Sequence, residues 1–234
     1  MSYKNKKISV VIPAAGMGKR MNSNINKQYI LLNDKPILFY TLDKFEKNEF
    51  VDDIVIVAKN DEINYCKENI VDKYGFKKVK NIVSGGKERR DSVYNGLKEV
   101  DGKSDIVLIH DGARPFIDES IIKSSIKETI VNEAIVVGVP VKDTIKLVNN
   151  DNIVESTPSR DGLWIVQTPQ SFSYSLIMEC YNKGIKENLN VTDDSMLVEH
   201  FGYSVKMIMG SYKNIKITTR EDLIMGKNFL EKDV

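Results

Sequence analysis

Cysteine and histidine are scarce in this chain: two of each in 234 residues. Cys66 and Cys180 stand far apart with no CxxC pair, and His110 and His200 complete the supply. A disulfide framework and a Cys/His zinc site are both disfavoured. No apolar run approaches the roughly 18 residues of a membrane-spanning helix. The opening MSYKNKK leads straight into an apolar stretch, with no room for a signal peptide. Charge of either sign is not in excess, since 34 basic and 33 acidic residues leave a net +1. No bulk field therefore advertises nucleic acid or a membrane surface, and any anion site must be local. Internal repeats, low-complexity tracts and linkers are absent too. The expectation is a cytoplasmic protein with residues 1–234 in a single α/β domain.

What is present begins at Ile8 to Gln28, ISVVIPAAGMGKRMNSNINKQ. Ile8 to Ile12 is β-branched and too short for a helix, so it reads as a buried strand ended by Pro13. The following AAGMG leaves backbone N–H groups unobstructed, and its glycines permit φ > 0. Lys19, Arg20 and Lys27 come next. Backbone amides beside fixed cations are what a polyphosphate needs. An ordinary strand-to-helix loop with solvated lysines would read the same way. Two common nucleotide fingerprints fail here. GxGxxG would need Gly or Ala where Met21 stands, and a P-loop would need Ser or Thr after Gly18-Lys19.

Further along, Asp53 to Ala58, Lys78 to Val83, Ile106 to Ile109 and Ala134 to Val139 read as buried strands. Between them lie helices from Pro36, from about Asp61 to Lys73, and from Asp118 to Val131. Strands alternating with helices predict a mostly parallel sheet with helices on both faces. In such sheets ligands sit beyond the carboxyl ends of the strands. The Gly-rich and charged clusters SGGKERRDS and HDGARP fall there. Gly85 and Gly86 allow close approach to a ring or sugar, and Ser92 can hydrogen-bond it. A plain turn with a capping side chain is the other reading. Asp111 at a strand tip suits Mg²⁺, which takes one or two carboxylates plus phosphate oxygens. Arg114 could clamp an anion, or could merely pair with Asp111 to shape the loop. His110 reads as a packed histidine.

The alternation breaks at 141–172, which reads as a projecting β-hairpin arm around the turn NNDN, with Val148 opposite Ile153. Ile145, Leu147 and Trp164 on such an arm need a surface to pack on, which favours a dimer. A helix from Ser173 to Lys186 follows, then Thr192-Asp193-Asp194, most simply a helix N-cap. A helix to Phe201, a strand SVKMIMG, an edge piece NIKITT carrying Lys216, and a closing helix from Arg220 finish the chain.

Taken together, seven segments in order resemble the 2-C-methyl-D-erythritol 4-phosphate cytidylyltransferases over essentially the whole chain. They are PAAGMGKRM with Lys27-Gln28-Tyr29, SGGKERRDSVYNGL, HDGARP, PVKDTIK, RDGLWIVQTPQSF, TDD and NIKIT. The ribitol-5-phosphate cytidylyltransferases share the AAG loop, the HD..RP turn and QTPQSF. Asp143 to Lys146 and Arg160 with Leu163-Trp164 favour the first family. The resemblance implies a Rossmann-like fold, transfer of CMP from CTP to the acceptor's 4-phosphate, Mg²⁺, and a homodimer with crossed arms. It further implies that Ala14, Ala15, Gly16, Gly85, Gly86, Ser92 and Asp111 contact CTP or its metal. Arg20, Lys27, Lys216 and Arg160 would be catalytic. Asp111, Arg114, Thr144, Arg160 and Thr192 would hold the acceptor, with Thr144 and Arg160 entering the neighbour's site. One departure stands out: the family often has Asp before the GG pair, where this chain has Ser84. A hydroxyl can still donate and accept hydrogen bonds, but the carboxylate's contribution is gone. Ribitol 5-phosphate as acceptor, another nucleoside triphosphate, and a non-catalytic nucleotide-binding regulator are the rival readings.

Overall fold

Alternating apolar residues on the first strand divide the protein into two packed layers. In a computed structural model of the chain, describing residues 3, 5–16 and 26–232, β1 (Ile8–Pro13) turns Ile8, Val10 and Ile12 to one core and Val11 to the other. A single turn, Lys27–Tyr29, and a small hairpin of β2 (Leu31–Leu32) and β3 (Lys35–Pro36) lead into α1 (Ile37–Lys47). Next come β4 (Asp53–Ala58) and α2 (Ile63–Cys66), which continues as a π-helical stretch, Lys67–Asp72. They are followed by β5 (Val79–Ser84), α3 (Arg89–Lys98), β6 (Ile106–Ile109), α4 (Glu119–Asn132) and β7 (Ala134–Pro140). The remaining elements are β8 (Leu147–Val148), β9 (Val154–Ser156), β10 (Trp164–Ser173), α5 (Tyr174–Lys186), α6 (Asp194–His200), β11 (Lys206–Met209) and α7 (Arg220–Lys232).

The seven-stranded sheet has the order β11-β7-β10-β6-β1-β4-β5. β10 runs antiparallel to both its neighbours, and every other pairing is parallel. The expected mostly parallel α/β sheet is what forms. α1 and α4 bury Leu38, Leu42, Phe45, Ile122 and Ile126 on one face. On the other, α3, α5 and α6 bury Val93, Leu97, Ile177, Tyr181 and Leu197. β1 lies between β6 and β4, so the chain winds outward in both directions from it. That switch point is where the loops after neighbouring strands part and leave a crevice.

Three expectations need correction. Of the 141–172 arm, residues 167–172 are core: Gln170, Ser171 and Phe172 pair with both β6 and β7, and Phe172 is fully buried. Only the part up to Val166 carries the exposed apolar residues of a projecting segment. Within the hairpin, Val148 faces Val154, not Ile153, because Asn149 N–H bonds the Ile153 carbonyl and the turn closes on residues 150–152 alone. The segment NIKITT is not an edge strand. Its bond to the sheet's loops is Ile217 N–H to the Ala113 carbonyl at 2.8 Å. Ile217 is buried there, which turns the neighbouring Lys216 the other way. Among the described residues no helix is long and apolar enough to cross a membrane.

Candidate active site

Ladder-like hydrogen bonds carry the sheet's order into the loops beyond it. Ala14 N–H reaches the Val57 carbonyl at 2.7 Å, Gly85 N–H the Ala58 carbonyl at 2.8 Å, and Gly112 N–H the Pro13 carbonyl at 3.1 Å. The loops after β1, β5 and β6 are thus stitched side by side, and between them opens a cavity of about 700 Å³. Ala15, Gly16, Lys27, Gly85, Gly86, Ser92, Asp111 and Lys216 all line it. Ala14 does not, being fully buried with its amide already bonded.

The two glycines after β5 are dictated by packing. A Cβ on Gly85 would sit 2.6 Å from the Ala15 Cβ, and one on Gly86 only 2.3 Å from the Asp91 Cβ. The turn is locked from within, since Ser92 Oγ accepts from Gly86 N–H and donates to the Glu88 carbonyl, each at 3.0 Å. Ser92 therefore frames the pocket by holding the turn to the helix, while the capping itself falls to Glu88 and Asp91. Ser84 also lines the cavity, its hydroxyl donating to the Gly85 carbonyl at 3.2 Å.

Lys27 is held almost wholly buried in the cavity wall. Its neighbour Asn26 is fixed by Glu62 at 2.9 Å, so the connection after β4 sets where Lys27 stands. Arg20 falls within 17–25, outside the described residues. On the floor, Asp111 Oδ2 lies 2.9 Å from Lys216 Nζ and 3.5 Å from Arg114 Nε, while Oδ1 lies 3.8 Å from Arg89 Nε. Burial alone would raise the Asp111 carboxyl. The charges of Lys216, Arg89 and Arg114 outweigh it and hold the group well below the usual carboxylate range. Arg114 braces as well as neutralises, donating to the Asn214 carbonyl at 2.8 Å. It shapes the segment that delivers Lys216 and is not among the residues lining the cavity.

Thr144, Arg160 and Thr192 are exposed and also lie outside the cavity lining. Arg160 donates to the Lys142 carbonyl across the base of the hairpin. Asp193, not Thr192, caps α6, accepting from Met196 N–H at 2.9 Å. The cavity also has walls that residue types alone did not single out: Lys59, Asn60 and Asp61 after β4, and Arg89 at the start of α3. Arg89 stood in plain view within the basic run KERR, and the position after a Gly-rich turn was the available signal.

Sheet topology and pocket chemistry together are those of a nucleotidyltransferase: glycine turns, lysines and the buried Asp111 carboxylate at the carboxyl edge of a mostly parallel sheet. The model of the family "IspD: 2-C-methyl-D-erythritol 4-phosphate cytidylyltransferase" matches residues 8–232. The chain belongs to this family. It is 54% identical to the 2-C-methyl-D-erythritol 4-phosphate cytidylyltransferase of Clostridioides difficile, covering 96% of this chain and 94% of that one. The enzyme of the same name from Geotalea uraniireducens is 48% identical, over 96% and 97%. Among solved structures, the 4-diphosphocytidyl-2C-methyl-D-erythritol synthase of Anaerococcus prevotii superposes with a TM-score of 0.86. It is 37% identical and covers 97% of each chain.

His110 sits directly under this site. Asp111 N–H donates to Thr168 Oγ1 at 3.0 Å, so the hydroxyl's own proton goes to His110 Nδ1 at 3.2 Å, and Nε2–H donates to the Arg114 carbonyl at 3.0 Å. The ring is a neutral, packed strut, as expected. Burial pulls its pKa from 6.5 down to about 4. The unfolded chain takes up this proton near pH 6.5 while the folded one does not. Stability from His110 is thus complete above about pH 6.5 and falls as pH drops toward 4, by up to about 1.4 kcal/mol per pH unit. Urea denaturation between about pH 7 and 4.5 should show that slope. Ring carbon NMR shifts of His110 should stay flat down to about pH 5, and titration near 6.5 would contradict the neutral strut.

Proposed function

We propose that the protein transfers CMP from CTP to the 4-phosphate of 2-C-methyl-D-erythritol, releasing pyrophosphate and forming 4-diphosphocytidyl-2-C-methyl-D-erythritol for non-mevalonate isoprenoid synthesis. The observation that carries this reading is the meeting of Lys216 and Asp111 at 2.9 Å in the cavity that also holds Lys27 and the two glycine turns. Residues from four distant parts of the chain supply the cations and amides that a nucleoside triphosphate requires.

The chemistry needs no protein base, because the acceptor phosphate is already an anion at neutral pH. One of its oxygens bonds to the α-phosphorus, and the bond from that phosphorus to the bridging oxygen breaks to release pyrophosphate. The protein's task is to hold two anions together and to neutralise charge as it builds on the α-phosphate. Lys27 and Lys216, which line the same cavity, do this, with Arg20 as a third cation by family resemblance. Ala15 and Gly16 present backbone amides to the nucleotide, while Gly85 and Gly86, whose amides are bonded to Ala58 and Ser92, allow it a close approach. Asp111 fits a Mg²⁺ ion: it is ionised, faces the cavity, and no cluster of three or more His, Cys, Asp or Glu forms a closed cage among the described residues. Magnesium is commonly held in this way, by one carboxylate together with substrate phosphates. Bound there, the ion would supply further charge neutralisation at the phosphate oxygens.

Acceptor binding falls to Arg114, Thr192 and Asp111, joined by Thr144 and Arg160 from a second subunit. Supporting a homodimer, Leu147, Val148, Ile153 and Val154 on the hairpin are between 51% and 62% exposed, an apolar patch in need of cover. Both substrates are small soluble anions, which supports a cytoplasmic setting.

Competing methylerythritol 4-phosphate against ribitol 5-phosphate with CTP, and following pyrophosphate release, tests the assignment; preference for ribitol 5-phosphate would move the chain to the rival acceptor. Lys27→Ala and Lys216→Ala should each lower kcat at least ~10²-fold, the scale for losing one charge-stabilising group. Near-normal turnover in both would sink the mechanism. Arg160→Ala subunits mixed with Lys27→Ala subunits should regain partial activity, since each mixed dimer assembles one intact site. No recovery in verified heterodimers would place Arg160 in its own chain's site.

A further inference from the structure

Arg89 occupies an unusual place between two carboxylates. Its Nη1 and Nη2 form a two-pronged pair with Asp194 Oδ1 and Oδ2 at 2.9 and 2.7 Å, while its Nε points to Asp111 Oδ1 at 3.8 Å. Asp194 is completely buried and is fixed a second time by the Tyr181 hydroxyl, which donates to Oδ1 at 2.6 Å. The pair joins the first residue of α3 to the first residue of α6, 105 positions apart. Arg89 lines the nucleotide cavity and Asp194 does not.

Geometry makes Asp194 the element that decides where the Arg89 charge goes. A planar guanidinium meeting a carboxylate with both prongs has one orientation left to it. Held so, Arg89 shows Asp111 only its Nε, at a distance longer than the 2.9 Å of Lys216. Without that hold, the fork would be drawn onto the nearer remaining carboxylate, Asp111. It would then compete with Lys216 for the same group and swing the cavity wall beside Gly86 and Glu88.

We propose that Asp194 is a positioning residue of the nucleotide site: its buried carboxylate locks Arg89 in the cavity wall and reserves Asp111 for Lys216 and the incoming nucleotide. This rests on the CTP reading above and goes beyond it, since it assigns part of the nucleotide affinity to a side chain outside the cavity. Asp193 next to it takes the ordinary work of capping α6, bonded to Met196 N–H and to the Gln170 amide. The two adjacent aspartates therefore divide helix capping from site positioning.

The test measures CTP binding by calorimetry in magnesium buffer, with melting temperature recorded for every variant. Asp194→Asn keeps the shape and loses the charge; Arg89→Lys keeps the charge and loses the fork. Each should weaken CTP binding about tenfold or more, the scale of one charge-assisted hydrogen-bonded contact. Leu197→Ala, in the buried face of the same α6, loosens that helix without touching Arg89 and supplies the control for general destabilisation. CTP affinity should survive in it at an equal loss of melting temperature. Wild-type affinity in either Asp194→Asn or Arg89→Lys overturns the proposal, as does an equal loss of affinity in Leu197→Ala. Should Asp194→Asn fail to fold, Arg89→Lys decides alone. Failure of the wild-type protein to bind CTP would instead overturn the nucleotide reading itself.

Discussion

Asp111 is a carboxylate pressed into the protein among three cations, and such a cluster holds only while every member keeps its place. Removing one partner of a buried ion pair typically costs about 3–5 kcal/mol, because the charge left behind is uncompensated. Here the members come from the tip of β6, the start of α3 and the segment ahead of α7. Lys216, Arg89 and Arg114 would repel one another without an anion between them. Asp111 lets the fold concentrate positive charge where a polyphosphate must sit. It does so in a chain whose overall charge is nearly zero. The local charge is made by convergence, not by composition.

That convergence explains which parts of the molecule could be read from the sequence. β1, β4, β6 and β7 are short runs dominated by Ile and Val, and a strand buried on both faces leaves that signature. The glycine turns and the HDGARP loop follow directly from such strands. β10 was hidden because its core portion is polar: Gln167, Thr168, Gln170 and Ser171 are all buried. For three of them the polarity is matched by specific partners: Gln167 to the Ser211 carbonyl at 2.8 Å, Gln170 to Asp193 at 2.9 Å and Thr168 to the Asp111 N–H. Burial of satisfied polar groups leaves no hydrophobic pattern. The Arg89–Asp194 pair was hidden for a different reason. Its partners lie 105 residues apart, and Asp194 next to a capping Asp193 reads locally as part of the cap.

Lys216 shows how a weak local signal can still place a residue. NIKIT alternates apolar and polar residues like a strand, yet it makes no ladder; the bonds from Ile217 to Ala113, from Arg114 to the Asn214 carbonyl and from the Asn214 amide to the Thr168 carbonyl orient it. What the alternation conveyed correctly was the opposition of neighbouring side chains, Ile217 inward and Lys216 toward Asp111. Period-two geometry survives in an extended segment even where strand pairing does not.

The antiparallel β10 joins these themes. Its inner end pairs with β6, the strand that delivers Asp111, and its Thr168 hydroxyl accepts from the Asp111 amide. Its outer end, Trp164 to Val166, pairs with β7 alone and leaves Ile165 and Val166 more than a third exposed at the root of the hairpin. One strand therefore spans from beneath the carboxylate to the base of the arm. Groups supported on strands hold their geometry better than groups on loops, and this one strand fixes both the Asp111 amide and the root of the hairpin.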